Sequence, residues 1–366
     1  MKLLIITQKV DIHDRGVLGF MHGWIEEFAK HCQQVTVICL ERGKHKFPDN
    51  VKILSLGKEE FSRFPKHFHI LRRLVALIRF YSQIIRERRN YDKALVHMNP
   101  EYIVLGGWLW KIWDKKIGLW YAHGCVPTSL KIAEKFADNI FTSTKSGCRL
   151  KSDKVKVVGQ GIDIEKFSIT PPMRRAGDFQ LPIDRKFKIV TVGRISPAKD
   201  LETLILATEI LAKDSQKIKV DIIGDVGLAK QKKYLEDLKK LVGIKKLEGI
   251  VNFLGGVSNK EIVLHLQSAD LFVNTSHTGS LDKAIAEAMA CGLPILTCNE
   301  ALEEILGKRK DKLMYPKKDY KKLAERIKYI INLEKDEKEK IGRNLRQIIV
   351  ENHSLEGLVK KILEKL

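Results

Sequence analysis

Short apolar runs alternate along the whole chain with longer amphipathic runs. The short runs are rich in Val and Ile and lack the polar alternation of a half-exposed strand, which is typical of strands covered on both faces of a parallel sheet. The pattern therefore predicts an α/β protein with parallel sheets. The predicted strands lie at 2–7, 34–39, 93–98, 116–123, 139–143 and 154–159 in the first half and at 188–193, 220–224, 251–255, 271–276 and 294–297 in the second.

A proline-containing stretch without sustained periodicity, 167–186, separates the two halves and is predicted to be a linker. The sequence thus predicts two doubly wound, Rossmann-like domains that face a central cleft, at 1–166 and 187–345. The remaining residues, 346–366, are predicted to form a helix that crosses back to the first domain. Ligands of such sheets bind at the carboxyl ends of the strands, so the loops after strands are the places to search for chemistry.

Composition narrows the class of protein. A chain of 366 residues is long enough for two domains, and no apolar run reaches the roughly 18 residues that span a bilayer. The N-terminus, MKLLIITQKVD, is interpreted as a first strand rather than a signal peptide. The six cysteines are scattered without a CxxC pair, which favours reduced thiols and no metal site. These features predict a cytoplasmic protein.

The formal net charge is +21. Nucleic acid, an anionic membrane surface and phosphorylated small substrates are three partners that attract so basic a chain. No RRM-like aromatic signature, zinc finger or helix-turn-helix is recognisable, so no nucleic-acid partner is expected.

The stretch at 64–90 combines apolar residues on one helical face with a dense set of arginines. One interpretation is a crossover helix that packs on the sheet and has a solvated basic face. The other is a surface that docks on anionic lipid headgroups, with the protein peripheral on the inner membrane face. The sequence leaves both open.

The loop after the strand at 188–193 carries two cations, Arg194 and Lys199, just before a helix predicted to begin near Asp200. Two cations at a helix N-terminus suit a diphosphate, because both charges and the helix dipole act on one anion. Gly193 ends the strand and lets the backbone approach a ligand. The alternative is a pair of solvated surface cations.

Other polar and glycine positions follow strands of the first half. Gly16 and Gly19 lie in the loop after the first strand, together with His13 and Asp14, and His123 ends the fourth predicted strand. A histidine in that position is well placed to reach a ligand. Asn99 follows the third predicted strand, and with His13 and Asp14 it is a candidate for the acceptor side of a cleft.

The order of these motifs resembles the retaining family 4 glycosyltransferases, the group 1 glycosyl transferases of GT-B architecture. The resemblance rests on segments that occur in the family's order and span most of the chain, being weakest between Lys44 and Asp92. They are VVGQGIDIEKF, VGRISPAKD, VDIIGDVG, VNFLGGVSNKEI, SADLFVNTS and IAEAMACGLPIL.

The resemblance implies a nucleoside-diphosphate-sugar donor and a glycan or lipid-linked acceptor, with no cofactor and no metal. Transfer would proceed with retention by front-face attack, and the diphosphate would assist deprotonation of the acceptor. Arg194 and Lys199 would hold the diphosphate, Glu287 the ribose and His123 the donor sugar, while Gly16, Gly19 and Gly193 would line the donor.

One position departs from the family pattern. Family members usually have two glutamates with seven residues between them; Glu287 matches the second, whereas Gly279 occupies the first. Asp282 and Lys283 follow shortly after and are candidates to replace the missing sugar contact. A cap on the helix that carries Glu287 is the alternative role for Asp282.

The sequence therefore predicts a glycosyltransferase that acts on a lipid-linked or cell-envelope glycan precursor. A catalytically silent binding subunit and a GT-B-fold sugar-nucleotide epimerase are the alternatives. The predicted catalytic residues are Arg194, Lys199, His123 and Asp282, and the predicted donor-binding residues are Gly16, Gly19, Gly193, Ser280, Leu281, Lys283 and Glu287.

Overall fold

The computed structural model describes residues 1–14, 16, 18–60, 69–168, 185–227, 231–277 and 279–366. They form two compact units, one of residues 1–161 together with 355–366 and one of residues 162–354. Each unit contains one parallel sheet with helices, so the predicted α/β fold with two Rossmann-like sheets is confirmed.

The first unit contains a seven-stranded sheet in the order β3-β2-β1-β4-β5-β6-β7, parallel throughout. Its strands are β1 (Lys2–Val10), β2 (Gln34–Arg42), β3 (Val51–Ser55), β4 (Lys93–His97), β5 (Lys116–Trp120), β6 (Asn139–Thr142) and β7 (Val155–Val157). Its helices are α1 (Met21–His31), α2 (His69–Arg86), α3 (Glu101–Ile112), α4 (Thr128–Phe136) and the C-terminal α13 (Leu355–Lys365).

Strand β3 was not predicted. It lies at the edge of the sheet, and none of its residues is fully buried. The apolar run that marks a central strand is therefore missing, because an edge strand is not covered in the same way.

The second unit contains a five-stranded parallel sheet in the order β10-β9-β8-β11-β12. Its strands are β8 (Phe187–Val192), β9 (Ile218–Ile223), β10 (Val251–Gly255), β11 (Leu271–Asn274) and β12 (Ile295–Thr297). Its helices are α5 (Leu201–Lys213), α6 (Lys232–Ile244), α7 (Asn259–Gln267), α8 (Lys283–Ala290), α9 (Glu303–Leu306), α10 (Lys310–Leu313), α11 (Tyr320–Asn332) and α12 (Lys335–Asn352).

The C-terminal helices divide between the units. Helix α12 belongs to the second unit, whereas α13 belongs to the first, where Leu358 and Ile362 are buried in one core with Trp24 and Phe28 of α1. The predicted start of the returning segment at 346 falls inside α12. Of the predicted linker, 169–184 lies outside the described residues. Within the described parts of the chain, no helix is long and apolar enough to span a bilayer.

Candidate functional site

A small pocket lies at the carboxyl ends of β8, β9 and β11 in the second unit. Gly193, Arg194 and Lys199 line it from the loop between β8 and α5, and Asn274 and Thr275 line it from the end of β11. The carboxyl ends of central strands are where Rossmann-like sheets bind their ligands. Both predicted diphosphate cations therefore contribute to one pocket in the predicted place.

Two glycines allow the strand ends to meet closely. A Cβ atom on Gly224, whose φ is +144°, would lie 1.8 Å from the carbonyl oxygen of Gly193. A Cβ atom on Gly193 would lie 3.3 Å from Cε of Lys199, in tight contact. Glycine at 224 thus lets the ends of β8 and β9 approach each other, and glycine at 193 leaves space for the aliphatic part of Lys199.

The backbone that presents Lys199 is held in an unusual conformation. Asp200, the residue before α5, has φ 45° and ψ 52°, a left-handed conformation that costs a non-glycine residue about 1 kcal/mol. Its Oδ2 accepts a hydrogen bond of 2.8 Å from the Thr203 hydroxyl and lies 2.9 Å from Nε2 of His277. The Thr275 hydroxyl also donates to the Lys199 carbonyl. These contacts hold the loop in place and direct the Lys199 side chain.

The ammonium of Lys199 forms an ion pair with Asp282. Its Nζ lies 2.8 Å from Oδ2 of Asp282, and Nδ2 of Asn274 donates to the same oxygen at 3.0 Å. Both side chains of the pair are less than one-fifth exposed. Within the described residues, Oδ1 of Asp282 has no hydrogen-bond partner, so one carboxylate oxygen is held and the other is left for a ligand.

Asp282 precedes α8 but does not cap it with its side chain. The alternative in which Asp282 serves only as a helix cap is therefore wrong: its carboxylate is directed at Lys199 and Asn274 instead.

Arg194 is exposed, and no carboxylate among the described residues forms an ion pair with it. Its guanidinium is thus available to an anion in the pocket, whereas the ammonium of Lys199 is held there by Asp282. No group of three or more His, Cys, Asp or Glu residues in the described parts of the chain is arranged to hold a metal ion.

Helix α8 carries two titratable groups one turn apart, Lys283 and Glu287. Burial lowers the pKa of Lys283 to about 8, opposed by the nearby Glu287. Burial raises the pKa of Glu287 to about 7, opposed by the positive charges of Lys283 and Lys166. Burial therefore disfavours the ionised form of Glu287, and the neighbouring Lys283 favours it.

The loop before α8 has a backbone suited to glycine. Gly279 has φ 68°, in the left-handed region. Leu281 is buried in the core of the second unit, so its side chain anchors the loop, and the Ser280 carbonyl accepts a hydrogen bond of 2.8 Å from Asn299. The missing first glutamate thus coincides with a loop conformation in which glycine is favoured.

Gly16, Gly19, His13 and Asp14 follow β1 in the first unit. A Cβ atom on Gly19 would lie 2.7 Å from the Asp14 carbonyl oxygen, so no side chain fits there, whereas one on Gly16 would meet only ordinary contacts. The carboxylate of Asp14 lies 2.9 Å from Nζ of Lys9 and accepts from the backbone N–H of Leu18. Asp14 therefore stabilises this loop, and His13 is exposed.

His123 and Asn99 follow the neighbouring strands β5 and β4. Nδ1 of His123 accepts a hydrogen bond of 3.0 Å from the backbone N–H of Cys125, so the neutral ring carries its proton on Nε2. The ring is exposed, which leaves an N–H donor at the end of β5. Asn99 donates to the His97 carbonyl at 3.0 Å.

Four residues that hold the second-unit site were not predicted from the sequence: Asp200, Asn274, His277 and Arg346. Arg346 of α12 donates to the carbonyls of Ile164, Phe167 and Ala290, the last being the final residue of α8. A signal existed for Asn274, because a polar residue ends an otherwise apolar strand. Arg346 had none, since its partners are backbone carbonyls distant in sequence.

Residues 174–348 match the profile of the family Glycosyl transferases group 1. The chain carries a group 1 glycosyl transferase domain. The resemblance found in the sequence motifs is thereby confirmed, and the matched range includes the whole β8–α5 loop and α8.

Curated relatives of this glycosyl transferase domain match parts of the chain. WcaL of Escherichia coli K12, named for colanic acid biosynthesis, is 26% identical over 233 residues, 60% of this chain and 53% of its own length. The alpha-monoglucosyldiacylglycerol synthase of Acholeplasma laidlawii is 33% identical over 153 residues, 40% of this chain and 37% of its own. The chain thus spans about half or less of the length of these relatives.

Solved structures with similar folds cover the chain. HepE of Anabaena in complex with UDP superposes with a TM-score of 0.75 at 19% identity, over 100% of this chain and 99% of that one. The sucrose-phosphate synthase of Thermosynechococcus elongatus gives a TM-score of 0.76 at 15% identity, over 100% and 98%. At these identities the likeness shows the GT-B fold.

Proposed function

We propose that the chain transfers a sugar from a nucleoside-diphosphate-sugar donor to an acceptor, with retention of configuration and without a divalent metal. The observation that carries this proposal is the pocket beside α5, which Arg194 and Lys199 line together. One exposed guanidinium, one ordered ammonium and the N-terminus of α5 suit a diphosphate. They also stabilise the charge that develops on the diphosphate as it leaves, which is the role of a metal in other transferases.

In this proposal Glu287 hydrogen-bonds the ribose hydroxyls. Its pKa is raised to about 7 by burial, and the nearby Lys283 favours the ionised, accepting form. HepE, whose fold is similar, has been solved with UDP and with UDP-glucose, which supports a nucleotide donor of the same kind.

Asp282 supplies the carboxylate that Gly279 lacks. Oδ2 is fixed by Lys199 and Asn274, so Oδ1 is free to accept a hydrogen bond from a sugar hydroxyl. Lys199 then joins the diphosphate and the sugar contact in one network. The sequence resemblance also assigns His123 and Gly19 of the first unit to donor binding, through the Nε2–H of His123 and a close backbone approach at Gly19.

Retention follows from front-face attack. The acceptor hydroxyl approaches on the side from which the diphosphate leaves, through an oxocarbenium-like state, and passes its proton to a diphosphate oxygen. No side-chain base is needed at that step. The bond from the anomeric carbon to the diphosphate breaks, and a bond to the acceptor oxygen forms on the same face.

For the acceptor we propose a lipid-linked or cell-envelope glycan precursor, and for the protein a cytoplasmic location, peripheral on the membrane. The names of relatives support this class: one is an alpha-monoglucosyldiacylglycerol synthase, and WcaL is named for colanic acid biosynthesis.

The test is a screen of UDP- and GDP-sugars by thermal shift, followed by the release of nucleoside diphosphate in the presence of chelator. A donor that binds the folded state raises the melting temperature. Lys199→Ala is expected to abolish this shift and to lower turnover roughly a hundredfold. The matched control is Lys213→Ala, which removes an exposed lysine from the far end of α5.

Donor binding without release of the nucleoside diphosphate would contradict the transferase proposal and favour a silent binding subunit. An inverted anomeric configuration in the product, measured by NMR, would contradict retention alone.

A further inference from the structure

Helix α2 presents an apolar face to solvent. Phe80 and Ile84 turn inward and are fully buried in the core of the first unit. A second set of apolar side chains lies about 120° away around the helix axis and is 41% to 74% exposed. This exposed apolar face consists of Ile70, Leu71, Leu74, Ile78 and Ile85.

Arginines border the exposed apolar face. Arg72, Arg79 and Arg86 recur every seven residues and form a row along the helix beside it. Arg79 is paired with Glu60 at 2.7 Å. Arg86 and two further arginines, Arg73 and Arg89, are exposed, and no described carboxylate forms an ion pair with any of them.

Apolar exposure of this extent on one helix favours a binding surface, because isolated proteins rarely leave contiguous large aliphatic side chains in water. The arginine border selects the partner. Guanidinium groups bind phosphate oxygens in a bidentate manner, and an interfacial helix inserts aliphatic side chains between lipids while its basic residues contact headgroups. A second copy of this chain is disfavoured, since docking would bring like charges together on proteins of net charge +21.

We infer that the exposed apolar face of α2 docks on an anionic lipid bilayer, with its aliphatic side chains at the boundary of the acyl region and the bordering arginines on lipid phosphates. The helix lies in the plane of the surface and does not cross it, since arginines interrupt it and it is not a membrane span. This inference does not depend on the transfer reaction, because docking requires neither donor nor turnover.

The first test removes the apolar contact. Vesicle co-sedimentation is measured without donor, on phosphatidylcholine vesicles and on vesicles of equal phosphatidylcholine and phosphatidylglycerol. The wild type is expected to bind the mixed vesicles. The triple variant Leu71→Gln, Leu74→Gln, Ile78→Gln is expected to bind them at least about tenfold more weakly. The control is Ile244→Gln with Leu264→Gln, two exposed apolar residues of the second unit, which is expected to bind as the wild type does.

The second test removes charge. The variant Arg73→Gln, Arg86→Gln, Arg89→Gln is expected to lose about tenfold or more in binding to the mixed vesicles. The control loses the same charge from exposed lysines of the second unit, Lys321→Gln, Lys335→Gln and Lys340→Gln. Unchanged melting temperatures show that each variant is folded, as expected for exposed positions.

Equal binding of the wild type to both kinds of vesicle, or equal losses in the helix variants and their controls, would overturn the inference. Self-association that disappears in the apolar variant, without vesicle binding by the wild type, would assign the face to a second copy instead. If the helix variants lose vesicle binding but still release nucleoside diphosphate at the wild-type rate with a water-soluble acceptor, docking is supported and the transferase proposal is unaffected.

Discussion

The chain has two basic regions that differ in how their charges are held. Around the second-unit pocket, Lys199 is fixed by Asp282 and its backbone by Asp200 and Thr275. Along α2 and just after its end, Arg73, Arg86 and Arg89 are exposed without a described carboxylate partner. A cation held in place by a carboxylate suits one small anion in a defined position, whereas exposed cations without such a partner suit a surface of many anions.

The sharpest separation of the two regions is expected from Arg194→Ala. Removal of this guanidinium from the pocket takes away stabilisation of the leaving diphosphate, and the transfer rate is expected to fall about 10²- to 10³-fold. Binding to anionic vesicles is expected to stay at the wild-type level. Steady-state release of nucleoside diphosphate and co-sedimentation are the two measurements, and a parallel loss of both would show that the regions act on the same ligand.

A smaller effect is expected from Asp282→Asn. The amide keeps the shape of the side chain but loses the charge that pairs with Lys199, so kcat is expected to fall about ten- to a hundredfold. The matched control is Asp270→Asn. Asp270 forms an ion pair with Arg185 at 3.1 Å and does not line the pocket. If Asp282→Asn raises KM alone, Asp282 contributes only uniform binding of the donor, and its proposed role in the transition state is wrong.

The smallest expected effect concerns pH. The pKa of Glu287 is about 7 in the folded protein, above the value near 4.3 of an unfolded glutamate. The folded state therefore binds more protons between these values, and its free energy of unfolding falls as pH rises from about 4.5 to about 7. Glu287→Gln is expected to lessen this fall by on the order of 1 kcal/mol.

Urea unfolding of the wild type and of Glu287→Gln at about pH 5 and about pH 7 measures this difference. The apolar variant of α2 provides the comparison, because it removes no titratable group and is expected to follow the wild type. A fall of equal size in Glu287→Gln would place the titration elsewhere.

Much of the fold was predictable because central strands of parallel sheets are apolar throughout. Strand β3 was missed, since an edge strand lacks that signature. The positions of Arg194, Lys199 and Gly193 in one pocket were also predictable, because the order of strand, glycine, loop cations and helix is local in sequence.

The side-chain contacts that hold the pocket residues in place were not predictable in the same way. Asp200 and His277 meet across 77 residues, and the residues of the Lys199–Asp282 pair are 83 residues apart. No spacing rule identifies such partners, because they come together only when β8 and β11 become neighbours in the sheet. The sequence suggested that Asp282 matters, but it did not show that Lys199 would be its partner.

Arg346 links the helix that carries Glu287 to a segment distant in sequence. Its guanidinium joins the carbonyl of Ala290, at the end of α8, to those of Ile164 and Phe167, in the segment that leads the chain into the second unit. A single charged group thus fixes the end of α8 against that leading segment through hydrogen bonds. The position of the helix that carries Glu287 is therefore stabilised by a residue of α12 that does not line the pocket.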